Sequence, residues 1–378
     1  MTHQLFRSPR PTLGVAVLGA GPLAEEVVRI LRATGGDLRE RAGAELTLDG
    51  EPELVVDATE DAGTVTAVLD ALRHGRSVIT ANTALIAEHG PRLAAAAEQH
   101  GADLCFEAAV AGGVPVVRPL TQSLAGDRVH QVLGVFPGEP GRGIAEQAAI
   151  LATLAFHTRV EVGEVYVENP GPAPSYDLAV AAALGLSLRT LVVCSRVVEH
   201  PGAGGKEQIS VRVHPALLPA ADPLAGVAAP FGAVAVDAAA AGRLMFYGAT
   251  TPAATASALL GDLITAARNR VHGGRAPRAS YYAELPLAPL GDTPTRYYLN
   301  LSVTDHAGAL ARVATVFAAH GVSIARVRQE HDGPDARLII LTHRAPDSAF
   351  ADTADALAET PCVRAVLTRW RIEGTDDQ

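Results

Sequence analysis

Three short stretches of this 378-residue chain carry residue types whose spacing points to ligand chemistry. The first is Gly19-Ala20-Gly21-Pro22-Leu23-Ala24. Glycines there let the backbone approach a pyrophosphate, and a helix that starts at the second glycine offers free N–H groups and positive potential. Such a site needs an acid at the end of the next strand to receive an adenosine ribose, and Asp49 is the only reasonable candidate. A tight strand–helix turn that binds nothing fits the same residues. The second stretch is Thr80-Ala81-Asn82-Thr83-Ala84-Leu85, just after a strand, where parallel sheets bind their ligands. Asn82 or Thr83 would serve equally well as a helix cap. The third runs from Phe106 through Glu107 to Gly112-Gly113 and Pro115. Its glycine pair allows close backbone approach, with Glu107 as a lone carboxylate, although plain close packing explains the same residues.

The elements around these stretches must hold them. Residues 12–18 form an apolar run that predicts a buried strand, and Leu23, Val27, Ile30 and Leu31 recur at helical spacing until Thr34-Gly35-Gly36. Strands are expected at 45–48, 53–57, 77–80 and 103–106, alternating with helices at 61–73 and 90–100. That alternation means a parallel sheet with right-handed crossovers. From about residue 126 the texture changes. A helix over 144–157 is followed by Val- and Leu-rich strands at 159–168, 188–199 and 207–218, with a Gly-rich turn from Pro201 to Gly205. A helix returns at 252–270, and 271–296 reads as a linker. Beyond 297 the order is strand, helix, two strands, helix, strand: a ferredoxin-like βαββαβ unit.

Composition narrows the class. Hydrophobic residues make up 48% and charged residues 19%, enough to bury a core. The formal net charge of −10 argues against a nucleic-acid or anionic-membrane surface. No apolar run reaches the roughly 18 residues of a membrane helix, and the start of the chain shows no secretory h-region. Cys105, Cys194 and Cys362 lie far apart with no C-x-x-C, so neither a zinc site nor a redox pair is expected. A cytoplasmic protein without metal fits all of this. Lys206 is the single lysine among 31 Lys and Arg residues, which limits the proton chemistry available.

Longer stretches carry a resemblance. FEAAVAGGVPVVRPL, ILATLAFHTRV, VRVHPALLP, LMFYGA, TASALLGDL and NRVHGGRAPR are similar to segments of bacterial homoserine dehydrogenases with a C-terminal ACT domain. So are YYLNLSVTDHAGALARVATVFAAHGVSIARVRQE and THRAP, in the right order over nearly the whole chain. The resemblance implies an α/β fold with three parts. A Rossmann-like dinucleotide-binding domain would span 1–125 plus 252–275, and a shortened α+β substrate and dimerisation domain 126–251. A linker at 276–296 would lead to an ACT regulatory domain at 297–374. It implies NAD or NADP as cofactor, held by Gly19, Gly21, Pro22, Leu23, Thr80, Asn82 and Glu107. It further implies a small, threonine-like amino-acid effector at Asp305, Gly308, Leu310, Val322 and Ile324, and a homo-oligomer, dimer or tetramer.

The departures from the family are equally specific. Its strand-end motif reads T-A-N-K-A, with a lysine serving the substrate oxygen, and here Thr83 stands in that place. A long acidic substrate segment is missing where residues 135–143 run almost directly into Gln147-Ala148-Ala149. A threonine hydroxyl does not exchange a proton near neutral pH, whereas hydride transfer from an alcohol requires one to move. Glu107, His157, Tyr176 and His214 remain as titratable groups, each read more simply as structural, and Lys206 belongs to an exposed turn. The expectation is therefore a non-catalytic or strongly impaired paralogue, responsive to an amino acid. An active homoserine dehydrogenase, or an oxidoreductase repurposed for another substrate, is the alternative.

Overall fold

The computed structural model describes residues 10–169, 171–198, 206–277, 281–332 and 335–374. Two units emerge from its contacts. One comprises the chain up to Val132, Arg142–Val165 and Ala228–Glu284, and the other Leu133–Gly141, Tyr166–Val227 and the chain from Leu285 onward. The turn expected at Pro201 to Gly205 lies outside the described residues.

The first unit is built on a parallel sheet. Its elements are β1 (Thr12–Leu18), α1 (Pro22–Ala33), α2 (Gly35–Ala42), β2 (Glu45–Thr47), β3 (Pro52–Asp57), α3 (Val65–Arg73), β4 (Ser77–Thr80), α4 (Thr83–His100) and β5 (Leu104–Cys105). The strands lie in the order β2-β1-β3-β4-β5. Thr34-Gly35-Gly36 ends α1 as expected, but α2 begins at once and closes on Gly43 in the left-handed region at φ 73°. Glycine reaches that conformation without the Cβ clash that others incur.

The second strand is cut short in an informative way. β2 pairs with Thr12, Leu13 and Gly14 on one side of β1, whereas β3 pairs with Gly14 to Leu18 on the other. Only residues 48–51 join them, so the chain crosses β1 at Gly14. A Cβ on Gly14 would lie 2.1 Å from the Glu51 carbonyl oxygen. The position accepts only glycine because another backbone passes directly over it.

After this sheet come β6 (Val129–Val135), α5 (Arg142–Phe156), β7 (Tyr166–Val167), α6 (Ser175–Ala183), β8 (Leu186–Val198), β9 (Glu207–Pro219), β10 (Phe231–Ala238), β11 (Gly242–Ala249) and α7 (Pro252–His272). The strand expected over 159–168 is a 3-10 turn at Val162–Glu164 followed by the two residues of β7. There the Glu164 side chain turns back to accept the Glu161 N–H at 2.8 Å, which closes the turn.

α7 returns to the parallel sheet. Its Leu259, Leu263, Ala266 and Ala267 pack with Val27 and Leu31 of α1 against Val15, Leu54, Val56 and Ile79. Its C-terminal end also serves other helices: Arg270, in the last turn, donates to the Gly75 carbonyl at 2.8 Å, and Arg268, just before it, to that of Arg41. Cations at helix C-termini satisfy the last carbonyls and complement the macrodipole. This gives the NRVHGGRAPR stretch a structural purpose.

The second unit ends in β12 (Pro294–Thr304), α8 (Ala309–Ala319), β13 (Ile324–Asp332), β14 (Asp335–Thr342), β15 (Ala345–Pro346), α9 (Asp347–Ala358) and β16 (Val363–Ile372). The sheet order β16-β12-β14-β13 with α8 and α9 is the ferredoxin-like unit. Val313, Phe317, Phe350 and Leu357 of the two helices fill one face against Leu299, Leu301, Leu338 and Ile340. α6 covers the other, where the buried Asp177 carboxylate accepts from Tyr298 Oη, Asn300 Nδ2 and Thr368 Oγ1 at 2.7, 2.7 and 2.6 Å. β16 joins β9 in parallel register, Arg371 opposite Ala216. Among the described residues no helix is long and apolar enough to cross a membrane.

Candidate nucleotide and substrate site

In a parallel sheet of this kind the ligand crevice opens where neighbouring connections leave on opposite sides. Here that point is the C-terminal end of β1 and β3. Gly19 follows β1 at φ 113°, and a Cβ there would lie 2.9 Å from the Ala58 carbonyl oxygen. Gly21 caps α1 in extended conformation with no side-chain cap, and nothing would meet its Cβ within 4 Å. Pro22 fills the first helical position, where a missing N–H costs nothing. The turn is tight on its inner side and open on its outer side, and the first turn of α1 has no side chain filling its anion-binding end. These features fit a pyrophosphate cradle.

Asp49 does not complete it. β2 ends at Thr47, opposite Gly14, four positions short of the end of β1. At about 3.3 Å per residue, Asp49 leaves the sheet some 13 Å below the crevice. It is exposed on the crossover, its N–H held by Thr47 Oγ1 at 3.1 Å. The sequence showed a strand followed by an acid, but not where that strand stops.

The ends of β3 and β4 form one hydrogen-bonded block. Asp57 is fully buried and accepts from Thr59 Oγ1 at 2.6 Å and Thr80 Oγ1 at 2.8 Å. Burial pushes its carboxyl above the usual range, and these hydrogen bonds hold it back. Asn82 caps α4 by accepting the Leu85 N–H at 2.9 Å, while its Nδ2 donates to Thr59 Oγ1 and the Asp61 carbonyl. Thr59 and Asp61 belong to none of the three stretches singled out in the sequence, yet they tie the block together.

Thr83 turns away from any ligand role in proton transfer: its hydroxyl donates to the Ala109 carbonyl at 2.7 Å. Two residues on, the Ala111 N–H donates to Gln147 Oε1 of α5 at 3.0 Å. Ala111 and Gly112 both have left-handed backbones, at φ 55° and 58°. The small-residue stretch is thus a tight turn held from α4 and α5.

Glu107 is spent on structure. Its two oxygens accept the Val117 and Arg118 N–H groups at 2.8 and 2.9 Å, and its own N–H donates to Asp262. Arg118 bridges the two carboxylates, with a direct bond to Asp262. Burial raises the Glu107 carboxyl, against the pull of the backbone N–H groups.

The remaining titratable residues are engaged elsewhere. His157 stacks on Tyr282 with ring centroids 4.7 Å apart. Tyr176 donates to Glu330 at 2.6 Å, and burial together with that carboxylate pushes its hydroxyl up to about 12. His214 is fully buried, its Nδ1 at 3.2 Å from the Pro215 carbonyl. Lys206 is exposed at the start of β9.

In the C-terminal unit Gly308 caps α8 at φ 91°, and Asp305 pairs with His331 at 2.9 Å. Leu310 is 40% exposed, Val322 belongs to the apolar core, and Ile324 opens β13.

Comparison with known proteins extends these observations over the whole chain. Residues 36–107 match the NAD binding domain of homoserine dehydrogenase, 140–264 homoserine dehydrogenase itself, and 297–362 the ACT domain. The homoserine dehydrogenase of Mycobacterium leprae is 42% identical, with 97% of this chain and 99% of the relative covered. The chain belongs to the homoserine dehydrogenase family. The enzyme of that name from Corynebacterium glutamicum is 39% identical, with 97% of each chain covered. The crystal structure of a homoserine dehydrogenase from Thiobacillus denitrificans superimposes with a TM-score of 0.85 at 24% identity, over 96% of this chain and 99% of that one, and so shares the fold. The alignment with the M. leprae relative spans 439 positions against 378 residues here, so that relative carries sequence this family member lacks. Loss of activity, expected from Thr83 and the shortened segment, finds no support among relatives that carry the enzyme's name.

Proposed function

We propose that the chain is an NAD(P)-dependent oxidoreductase of the homoserine dehydrogenase type, interconverting aspartate 4-semialdehyde and homoserine. The observation that carries this is end-to-end similarity at 42% identity to a relative of that name. Residues 1–125 with 252–275 would bind the dinucleotide, 126–251 the substrate and a second subunit, and 297–374 a small amino-acid effector. Gly19, Gly21 and Leu23 would hold the pyrophosphate by close backbone approach and the start of α1. Thr80 and Asn82, fixed through Asp57 and Thr59, would set the floor beneath the nicotinamide. The dinucleotide, when bound, supplies the hydride acceptor. The chain's part is to orient the substrate carbon, exclude water and move the hydroxyl proton.

One observation favours a second reading, in which the scaffold binds nucleotide and effector without turnover. The Thr83 hydroxyl is committed to the Ala109 carbonyl, and Lys206, the single lysine, is exposed just before β9. The two readings separate in one assay. Purified protein is mixed with homoserine and either NAD or NADP, and reduced nicotinamide is followed by absorbance. Turnover of about 1 s⁻¹ or more, ordinary for an enzyme, establishes the first reading. No turnover, with nucleotide binding retained, establishes the second.

A further inference from the structure

Because β2 stops opposite Gly14, the upper half of β1 has no strand beside it on that side among the described residues. An open groove of about 660 Å³ takes the vacant place. Val17, Ala20 and Val28 line it, Gly19 stands at its upper end, and Glu25, Arg29 and Arg32 of α1 follow one another down its rim. The groove is thus continuous with the glycine turn, and its apolar floor suits a purine ring.

The charges on that rim differ in availability. Arg29 is neutralised by Glu26, which takes both its Nε and Nη2 at 2.8 and 2.6 Å. Arg32 stands ten residues beyond Pro22, about 15 Å down the helix at 1.5 Å per residue. Glu25 stands in the first turn of α1, and its exposed carboxylate has no hydrogen-bond or ion-pair partner among the described residues. Side chains on a helix lean toward its N-terminus, so this carboxylate leans toward the glycine turn.

The adenosine ribose of a dinucleotide is joined directly to the pyrophosphate, so its hydroxyls fall within reach of the first turn of α1 but not of Arg32. We propose that α1 has taken over the discrimination of the cofactor: Glu25 receives the 2′- and 3′-hydroxyls of the adenosine ribose, and the chain binds NAD in preference to NADP. A free ribose diol gives a carboxylate two donors, as the acid at the end of a full second strand does in other dinucleotide folds. A 2′-phosphate would meet the same carboxylate with like charge, while of the described arginines on the rim Arg29 is held by Glu26 and Arg32 lies further down the helix. The inference rests on the nucleotide-binding reading above.

The test is calorimetric titration of the full-length protein with NAD and with NADP, repeated on Glu25→Gln, an exposed substitution that leaves the fold intact. NAD is expected to bind at least about tenfold more tightly than NADP, the worth of a charge-assisted hydrogen bond. Glu25→Gln should weaken NAD about tenfold and erase the preference. Equal affinities, tighter NADP, or an unchanged preference in Glu25→Gln overturns the assignment of Glu25 while leaving nucleotide binding intact. If neither nucleotide binds, the cofactor reading falls, and this inference with it.

Discussion

The Thr83 hydroxyl and the Ala109 carbonyl are joined by a 2.7 Å hydrogen bond that ties the start of α4 to the turn after β5. If its work is to hold that turn, Thr83→Ala should cost about 1 kcal/mol in urea unfolding, the usual worth of one such bond. The rate of homoserine-dependent nicotinamide reduction should stay as in the parent protein. A large fall in rate at unchanged stability would instead place the hydroxyl in the chemistry. Thr83→Lys alone should leave the rate unchanged, because only residues 136–141 connect β6 to α5, too few for the acidic substrate segment that the family resemblance implies.

Gly14 offers a sharper test of the fold. A methyl group there would sit 2.1 Å from the Glu51 oxygen and 2.9 Å from its carbon, both backbone atoms. Gly14→Ala should destabilise the protein by about 3 kcal/mol, the upper range for overpacking. A loss below about 0.5 kcal/mol in thermal or urea unfolding would mean the crossover runs elsewhere.

Asp177 holds three buried donors, from Tyr298, Asn300 and Thr368. Asp177→Ala strands them against the sheet, and each unsatisfied buried group costs roughly 1–3 kcal/mol. The expected loss is about 3 kcal/mol or more, with α6 losing protection from hydrogen exchange before the rest of its unit. Uniform protection across that unit would show that apolar packing alone seats the helix.

His214 links stability to pH. Burial, followed by the charges of Arg212 and Arg371, holds its imidazole well below the ordinary range. The unfolded chain takes up this proton near pH 6.5, whereas the folded chain does not. The stabilisation is therefore complete above about pH 6.5 and declines as pH falls toward the depressed folded value, by up to about 1.4 kcal/mol per unit. His214→Gln should flatten unfolding free energy between pH 6.5 and 5. An unchanged slope in the variant would assign the effect to other groups.

Much of the fold was legible because its signals are local. The apolar run at 12–18, the helix stop at Thr34-Gly35-Gly36 and the alternation through Tyr298 to Val303 each depend on a few neighbouring residues. The signals that failed concern distant ones. Asp49 looked well placed only if β2 ran its full length, and nothing in Leu46 to Asp49 says that Glu51 crosses Gly14. Glu107 looked free because its partners, Val117, Arg118 and Asp262, are ten to 155 residues away. The 231–249 hairpin was missed: β11 is mostly half-exposed and lacks a clean alternation of buried and exposed residues. Thr83 was singled out as a departure from the family motif, but its acceptor could be named only with coordinates.

The return of α7 sets an order of assembly. Its Leu259, Leu263 and Ala266 cover a face of the sheet whose strands are complete by Cys105. A growing chain therefore carries that face half bare until His272 has emerged, a long interval in which apolar surface is open to association. A fragment ending near residue 125 would possess every strand of the nucleotide sheet and still be sticky. The C-terminal end of α7, with Arg268 and Arg270 on the carbonyls of Arg41 and Gly75, is the last fastener, closed only after the helix docks.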